Sequence, residues 1–297
     1  MSHVSVLLEP TVAALLEAGS EGVFVDCTFG RGGHSRELLK HLSENARLVV
    51  FDKDPEAVAV ARALAEEDSR VTVVWAGFAQ LQSELEALGV SHVQGIMADL
   101  GVSSPQLDEA RRGFSFQKAG PLDMRMNPEH GKPVSELLYE LTEEELANVL
   151  YEFGEERHSR RIARAIKDAL PLTSTLELAE VIKTAHPKWE KRIHPATKSF
   201  QALRIYVNNE LGELDTLLKA AEAMLATGGV LAVISFHSLE DRRVKQFFKE
   251  AYQPEADLFG VRAAARFSKP VRLSASDAES KENARARSAW LRHAKKL

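Results

Sequence analysis

Gly22-Val23-Phe24-Val25-Asp26-Cys27-Thr28-Phe29-Gly30-Arg31-Gly32-Gly33-His34-Ser35-Arg36-Glu37-Leu38-Leu39-Lys40 reads as an apolar strand, a glycine-rich turn and the start of a helix. Glycines in such a turn let the backbone pass close to a ligand, and free N–H groups at a helix start favour a negatively charged group. Twenty-two positions after Gly30, a second apolar run, Arg47-Leu48-Val49-Val50-Phe51, ends in Asp52. An acid at that distance grips a ribose diol. Asp26 closes the first run and Asp99 closes a later one. Carboxylates at the carboxyl ends of several strands point to a site, where a glycine turn alone does not.

The turn admits both a nicotinamide and an S-adenosylmethionine reading. The dinucleotide pattern places glycines at relative positions 1, 3 and 6. Gly30 and Gly32 fit the first two, but the last is Ser35 and the third glycine is Gly33. That weakens the nicotinamide case without removing it. No Gly-Lys-Ser/Thr follows the turn, so a P-loop is excluded.

With 297 residues and 44% apolar content the chain can bury a full core, as one large domain or one domain with an insertion. Its formal charge of −5 does not announce a nucleic-acid binder, although a whole-chain average hides local patches. Cys27 is the only cysteine, which excludes an internal disulfide and a thiolate metal cluster. The histidines lack zinc-ligand spacing and no calcium-type loop is present, so no metal is expected. The N-terminal stretch lacks a basic start and is broken by Glu9, Pro10 and Glu17. Neither a signal peptide nor a membrane span fits, and a cytoplasmic location is expected.

Apolar runs at 22–26, 47–51, 71–75 and 93–98 alternate with helical periodicity, which predicts a parallel, doubly wound α/β sheet. Asp54, Pro55 and Glu56 supply a cap, a first-turn proline and a dipole-matched acid for the helix after Asp52. After Leu100 the rhythm changes: Gly, Pro and Ser are scattered through 101–135, and helical periodicity runs from Val134 to Ala185. The α/β pattern returns with a long helix over 200–225, a turn at 227–229 and a fifth strand at 230–236. Segments 265–268 and 288–291, flanking a polar loop at 274–287, are candidates for two further antiparallel strands. The expected organisation is a discontinuous ligand-binding domain, 1–107 with 198–297, and an inserted, mostly helical domain at 108–197.

Three strings carry a stronger signal: Asp99-Leu100-Gly101-Val102-Ser103-Ser104-Pro105-Gln106-Leu107-Asp108, then Arg112-Gly113-Phe114-Ser115-Phe116, then Gly120-Pro121-Leu122-Asp123-Met124-Arg125-Met126. In these the chain closely resembles the bacterial 16S rRNA cytosine-N4 methyltransferase family, the RsmH (formerly MraW) type. The resemblance continues through Phe153-Gly154-Glu155-Glu156-Arg157, His194-Pro195-Ala196-Thr197, Ser235-Phe236-His237-Ser238-Leu239-Glu240-Asp241-Arg242 and Asn283-Ala284-Arg285-Ala286-Arg287-Ser288, so it covers nearly the whole chain. It implies a Rossmann-like class I methyltransferase sheet carrying an inserted helical domain. It also implies S-adenosylmethionine contacts from Gly32, Gly33, His34, Asp52, Phe78, Asp99 and Gln106.

All but Gln106, which rests on the resemblance alone, have an independent chemical reason. The Gly32-Gly33-His34 backbone can approach the methionine end, Asp52 can accept both ribose hydroxyls, and Phe78 can lie against adenine. Asp99 favours a cationic sulfonium and is the candidate catalytic acceptor for the amino hydrogens of the target cytosine. The family's substrate is the decoding-region cytosine conventionally numbered 1402. Many amino-methyltransferases carry Asp-Pro-Pro-Tyr where this chain has Asp-Leu-Gly-Val-Ser-Ser, so the usual stacking tyrosine is missing. Phe114 and Phe116 are candidate replacements, with packing of the insertion as the plain alternative.

The target base has to leave its stack, so a pocket is expected, with Asp123, Arg125, His194, His237 and Asp241 as candidates to line it. Arg157, Arg160, Arg161, Arg164 and Lys167 fall at helical spacing and form a basic stripe, while Ile162, Ile166 and Leu170 face elsewhere. Such a stripe suits RNA phosphates, and a solvated face paired with acids is its competitor. Lys188, Lys191, Arg192 and Lys198 beside Trp189, and Arg285, Arg287, Arg292, Lys295 and Lys296 in the tail, make two more clusters. The expected partner is 16S rRNA in the small subunit or its precursor, with no membrane. Monomer and homodimer are both compatible with the sequence. A nicotinamide-dependent oxidoreductase, a non-catalytic RNA-binding assembly protein and a small-molecule methyltransferase stay open as alternatives.

Overall fold

The computed structural model describes residues 5–187, 194–256 and 260–297. Its elements run α1 (Leu8–Leu16), β1 (Val23–Asp26), α2 (Gly33–Leu39), β2 (Arg47–Asp52), α3 (Pro55–Glu67), β3 (Val71–Trp75), α4 (Leu81–Ala87) and β4 (Val93–Asp99). Next come α5 (Ser104–Asp108), α6 (Val134–Glu140), α7 (Glu143–Gly154), α8 (Ser159–Asp168), α9 (Thr175–Ala185) and α10 (Ala196–Asn208). The chain finishes with α11 (Glu210–Met224), β5 (Leu225–Ser235), α12 (Ser238–Tyr252), β6 (Val271–Ser274), α13 (Asp277–Glu282) and β7 (Trp290–Lys295). These fall into two compact units, one formed by the chain up to Gly101 together with Leu211–Leu297, the other by Val102–Glu210.

In the first unit seven strands lie in the order β3-β2-β1-β4-β5-β7-β6. β1 to β5 are parallel, and β7 pairs antiparallel with both β5 and β6. The chain first steps outward from β1 to β3 and then returns to β4 on the other side of β1. That reversal is the switch point at which doubly wound sheets bind ligands, beyond the carboxyl ends of the strands. Side-chain alternation builds two cores. Phe24, Leu48, Val50 and Met97 pack with α1 to α3 on one face, and Val25, Val49, Phe51 and Ile96 pack with α4, α11 and α12 on the other. Asp54 caps α3 by accepting the Glu56 N–H at 3.0 Å, with Pro55 at the first helical position.

The second unit is helical, with Leu138, Leu146, Leu150, Ile162, Ile166, Leu178, Ile182 and Leu203 in one core. Its limits are wider than 108–197 because α10 supplies Phe200, Ala202 and Leu203 to that core and Asn208 holds the loop below it. Asn208 accepts the Met126 N–H at 2.7 Å and donates to the Met124 carbonyl at 2.7 Å.

Three expectations are corrected. The long helix over 200–225 is two helices, broken at Asn209, which adopts a left-handed conformation (φ 48°) that asparagine tolerates. The penultimate strand is Val271–Ser274 rather than 265–268: β7 takes its ladder from Val271–Ser274 at residues 290–293, and Phe267, its ring wholly buried against Phe247 and Phe248, forms only an isolated bridge to Lys296. The fifth strand begins at Leu225, so the glycine pair at 228–229 lies inside it, beside a register shift opposite Val93 and Gly95.

Candidate functional site

At the switch point β1 and β4 are neighbours, and their ends are locked together. The Cys27 N–H donates to the Met97 carbonyl at 2.9 Å, and the Asp99 N–H donates to the Thr28 hydroxyl at 2.6 Å. The turn that follows requires its glycines. Gly32 has φ 78°, and a Cβ there would meet the Phe29 ring at 2.6 Å; a Cβ on Gly33 would collide with Ser5 Oγ. Asp52, at the end of β2, spans this turn and the next, accepting the Gly30 N–H at 2.8 Å and the Asp54 N–H at 2.9 Å. Each carboxylate oxygen keeps a lone pair for a further donor. Phe78 follows β3, with Lys53 Nζ 5.9 Å from its ring centre, and Lys53 pairs with Glu213 at 2.9 Å.

The electrostatics are those of crowded carboxylates. Asp26 is buried beneath the turn, accepts the Ser35 hydroxyl at 2.6 Å and the Thr28 N–H at 3.0 Å, and is pushed up to about 6 chiefly by burial. Burial also raises Asp52 to about 6. Asp99 lies well above the ordinary carboxylate range, through burial first and then through the charges of Asp26 and Glu240. Its side chain keeps 28% of its surface accessible, yet Oδ1 is buried with no hydrogen-bond partner among the described residues. His34 is buried and lowered to about 4, with Nε2 at 3.1 Å from the Val6 carbonyl. Glu240 accepts the Phe236 N–H at 2.8 Å and the His237 N–H at 3.3 Å, and His237 Nδ1 accepts the Glu240 N–H at 3.4 Å.

Of the residues expected from sequence, the first unit therefore brings together Gly32, Gly33, His34, Asp52, Phe78 and Asp99, with His237 capping α12. Asp241 does not project freely, since both its oxygens take Arg292, at 2.8 and 3.1 Å. Sequence reasoning did not assign Thr28, Ser35 and Glu240 to the site. Thr28 and Ser35 stand inside the glycine segment, and a cap at His237 with an acid three positions on is a readable capping box.

The remaining expected residues belong to the second unit. Gln106 Oε1 accepts the Ser103 N–H at 2.9 Å in the cap of α5. Phe114 is core, while Phe116 is partly buried between His194 and Phe200, with ring centres 4.7 and 4.8 Å away. Burial lowers His194, and Lys183 adds to that. Asp123 and Arg125 form a two-pronged pair at 2.7 and 2.8 Å, and Arg125 also donates to the Gly131 carbonyl at 3.0 Å, so this pair braces its loop. Arg157, Arg160 and Arg161 are exposed and have no ion-pair partner among the described residues, whereas Arg164 pairs with Glu143 at 3.2 Å.

Lys167 leaves the basic stripe: its ammonium donates to the Leu138 and Leu141 carbonyls at 2.8 Å, closing the end of α6. The tail cluster is similarly occupied, with Lys295 on the Glu17 carbonyl, Lys296 on those of Glu222 and Leu225, and Arg287 on that of Ser280. Lys198 donates to the Glu155 carbonyl at 3.2 Å, and Lys188, Trp189, Lys191 and Arg192 lie outside the described residues. Among the described residues no helix is long and apolar enough to cross a membrane, and no group of His, Cys, Asp and Glu is arranged to hold a metal ion.

Comparison with known proteins agrees over the full length. The MraW methylase family model matches residues 1–297. The chain is 58% identical over 304 aligned positions to "Ribosomal RNA small subunit methyltransferase H" of Psychrobacter sp. (strain PRwf-1), covering 98% of this chain and 90% of that one. Proteins of the same name from Acinetobacter baumannii (strain ATCC 17978) and Acinetobacter baylyi are 55% and 54% identical, each over all of this chain and over 98% and 100% of the relative.

Proposed function

The chain belongs to the MraW methylase family, and from that premise we propose that it methylates the exocyclic N4 of a cytosine in 16S rRNA of the small ribosomal subunit, with S-adenosylmethionine as donor. When bound, the cofactor supplies a methyl group on a positively charged sulfur. The observation that carries the reading is Asp99, a carboxylate with a buried, unpartnered oxygen at the switch point, raised further by Asp26 and Glu240. Carboxyls pressed toward their protonated forms in this way gain from a cationic ligand, which restores their ionised forms, and gain nothing comparable from a neutral one.

The other residues fit the same ligand. The remaining lone pairs of Asp52 suit a ribose diol, Phe78 offers an aromatic face to adenine, and the Gly32–Gly33 backbone leaves room for the methionyl chain. The amino lone pair of cytosine is delocalised into its ring and has to be localised before it bonds to carbon. Asp99 does this by accepting an amino hydrogen, and it takes the proton after the N–C bond forms. Thr28 fixes the backbone of Asp99 and so helps to position the acceptor.

In the second unit, Arg157, Arg160 and Arg161 offer unpaired charge to rRNA phosphates. We place the reaction in the cytoplasm, on rRNA in the small subunit or its precursor, and none of these roles calls on a second copy of the chain. Incubation with methyl-labelled S-adenosylmethionine and small-subunit rRNA, followed by nucleoside analysis, tests the reading. Label in N4-methylcytidine is expected. Label in a different nucleoside, or tighter calorimetric binding of NADH than of S-adenosylmethionine, would overturn it.

A further inference from the structure

We propose that His34 is a positioning residue for Asp99: anchored by the Val6 carbonyl, its ring turns an unprotonated nitrogen toward the carboxyl and favours the acid form that follows methylation. The inference rests on the reading of Asp99 as proton acceptor.

The anchoring contact decides where the ring hydrogen sits. Nε2 is 3.1 Å from the Val6 carbonyl oxygen, and a carbonyl can only accept, so Nε2 carries the hydrogen. In the neutral ring Nδ1 is then a bare lone pair. It faces Asp99 Oδ2 at 3.8 Å, too far for a hydrogen bond and, with the carboxylate ionised, one lone pair against another. A proton on Oδ2 reverses the interaction, because the acid O–H then donates to Nδ1 after a small rotation of the carboxyl. The ring does not become the proton's resting place, since burial disfavours its cationic form.

The transfer balances. The N4 lone pair forms the bond to the methyl carbon while the carbon–sulfur bond breaks and its electron pair returns to sulfur, which leaves as a neutral thioether; one N–H bond of the methylated amine then breaks, its electron pair stays on nitrogen, and the proton forms the O–H bond of Asp99. The charged groups acting on Asp99 from neighbouring elements are Asp26 at the end of β1 and Glu240 on α12, and both favour the protonated acid as His34 does. They stay in place when His34 is replaced, so a change seen then belongs to the ring. This role uses the side chain and leaves the Gly33–His34 backbone available to a ligand.

The test compares two amides. His34→Gln reaches toward Val6 but offers no acceptor at the Nδ1 position, and His34→Asn puts an amide oxygen near that position. The readout is the Asp99 carboxyl titration by carbon-13 NMR in the full-length, cofactor-free protein, assigned by its absence from Asp99→Asn. The midpoint should drop by about one pH unit in the Gln variant and by less than about 0.3 in the Asn variant. In turnover assays the Gln variant should lose about tenfold in kcat, with KM for S-adenosylmethionine changed less than about threefold. If glutamine prevents folding, His34→Leu removes both nitrogens at similar size and should show the same drop. An unmoved titration, with KM raised and kcat kept, overturns the inference while leaving Asp99 as the acceptor. Full turnover by Asp99→Asn overturns both.

Discussion

At the carboxyl edge of the sheet, Asp26 is buried and Asp52 and Asp99 are partly buried, and withdrawal from water lifts all three above the ordinary carboxylate range. Along α8 and just before it, Arg157, Arg160 and Arg161 are crowded, but in water. Like charges in water are screened and cost little. Like charges out of water raise one another's proton affinity and are relieved by protonation or by a cation held at a fixed place. The first arrangement therefore points to one kind of ligand, a compact cation with a diol. The second points only to a polyanion, whatever its sequence.

The largest expected effect lies on the buried side. Asp99→Asn keeps the shape and removes the charge and the proton acceptor, so kcat should fall about 10² to 10⁴-fold with the fold intact by circular dichroism. If the variant turned over at nearly the wild-type rate, the buried edge would be reduced to a binding surface.

Changing Arg157, Arg160 and Arg161 together to alanine should act through salt. The slope of log affinity against log salt should flatten by about two to three units, since each phosphate contact contributes about 0.7 to 0.9. Affinity for rRNA should drop about tenfold or more at low salt, and S-adenosylmethionine affinity should stay level by calorimetry. An unchanged salt slope would mean that these exposed arginines meet no phosphate.

The smallest expected effect is a pH dependence. A carboxyl whose folded-state value is raised, as at Asp26 and Asp52 from 3.8 to about 6, stabilises the fold while protonated and loses that contribution as pH rises through about 6. A cation favours the ionised forms, so its binding should tighten a few-fold between about pH 5 and 7 and release protons. Calorimetry in buffers of different ionisation enthalpy counts those protons. The uncharged-sulfur product S-adenosylhomocysteine should show a weaker trend, and equal trends would shift the relief away from the sulfonium.

Asp26, Asp52 and Asp99 were readable because each ends an apolar run, and a parallel sheet places all such ends on one edge. Glu240 was not, because a capping acid looks the same whether or not its charge reaches Asp99. Lys167 shares the period of Arg160 and Arg164 and separates from them only through the free carbonyls at the end of α6, which depend on packing between helices. Asn209 is a residue that tolerates a left-handed turn, but it sits inside a helical pattern that runs on at both sides and masks that local signal. β6 has four exposed residues and no buried face to produce alternation. Only its pairing with β7 makes it a strand.

The segment before α1 bears on how the protein is made. The Leu7 N–H donates to Glu279 Oε1, a partner 272 residues further along the chain. A nascent polypeptide emerging from its N-terminus can assemble β1 and the glycine turn early. It lacks this tether, on the residue next to the one that His34 contacts, until almost the whole message has been translated. Incomplete translation products are thus built without that hydrogen bond, however well their first strands have folded.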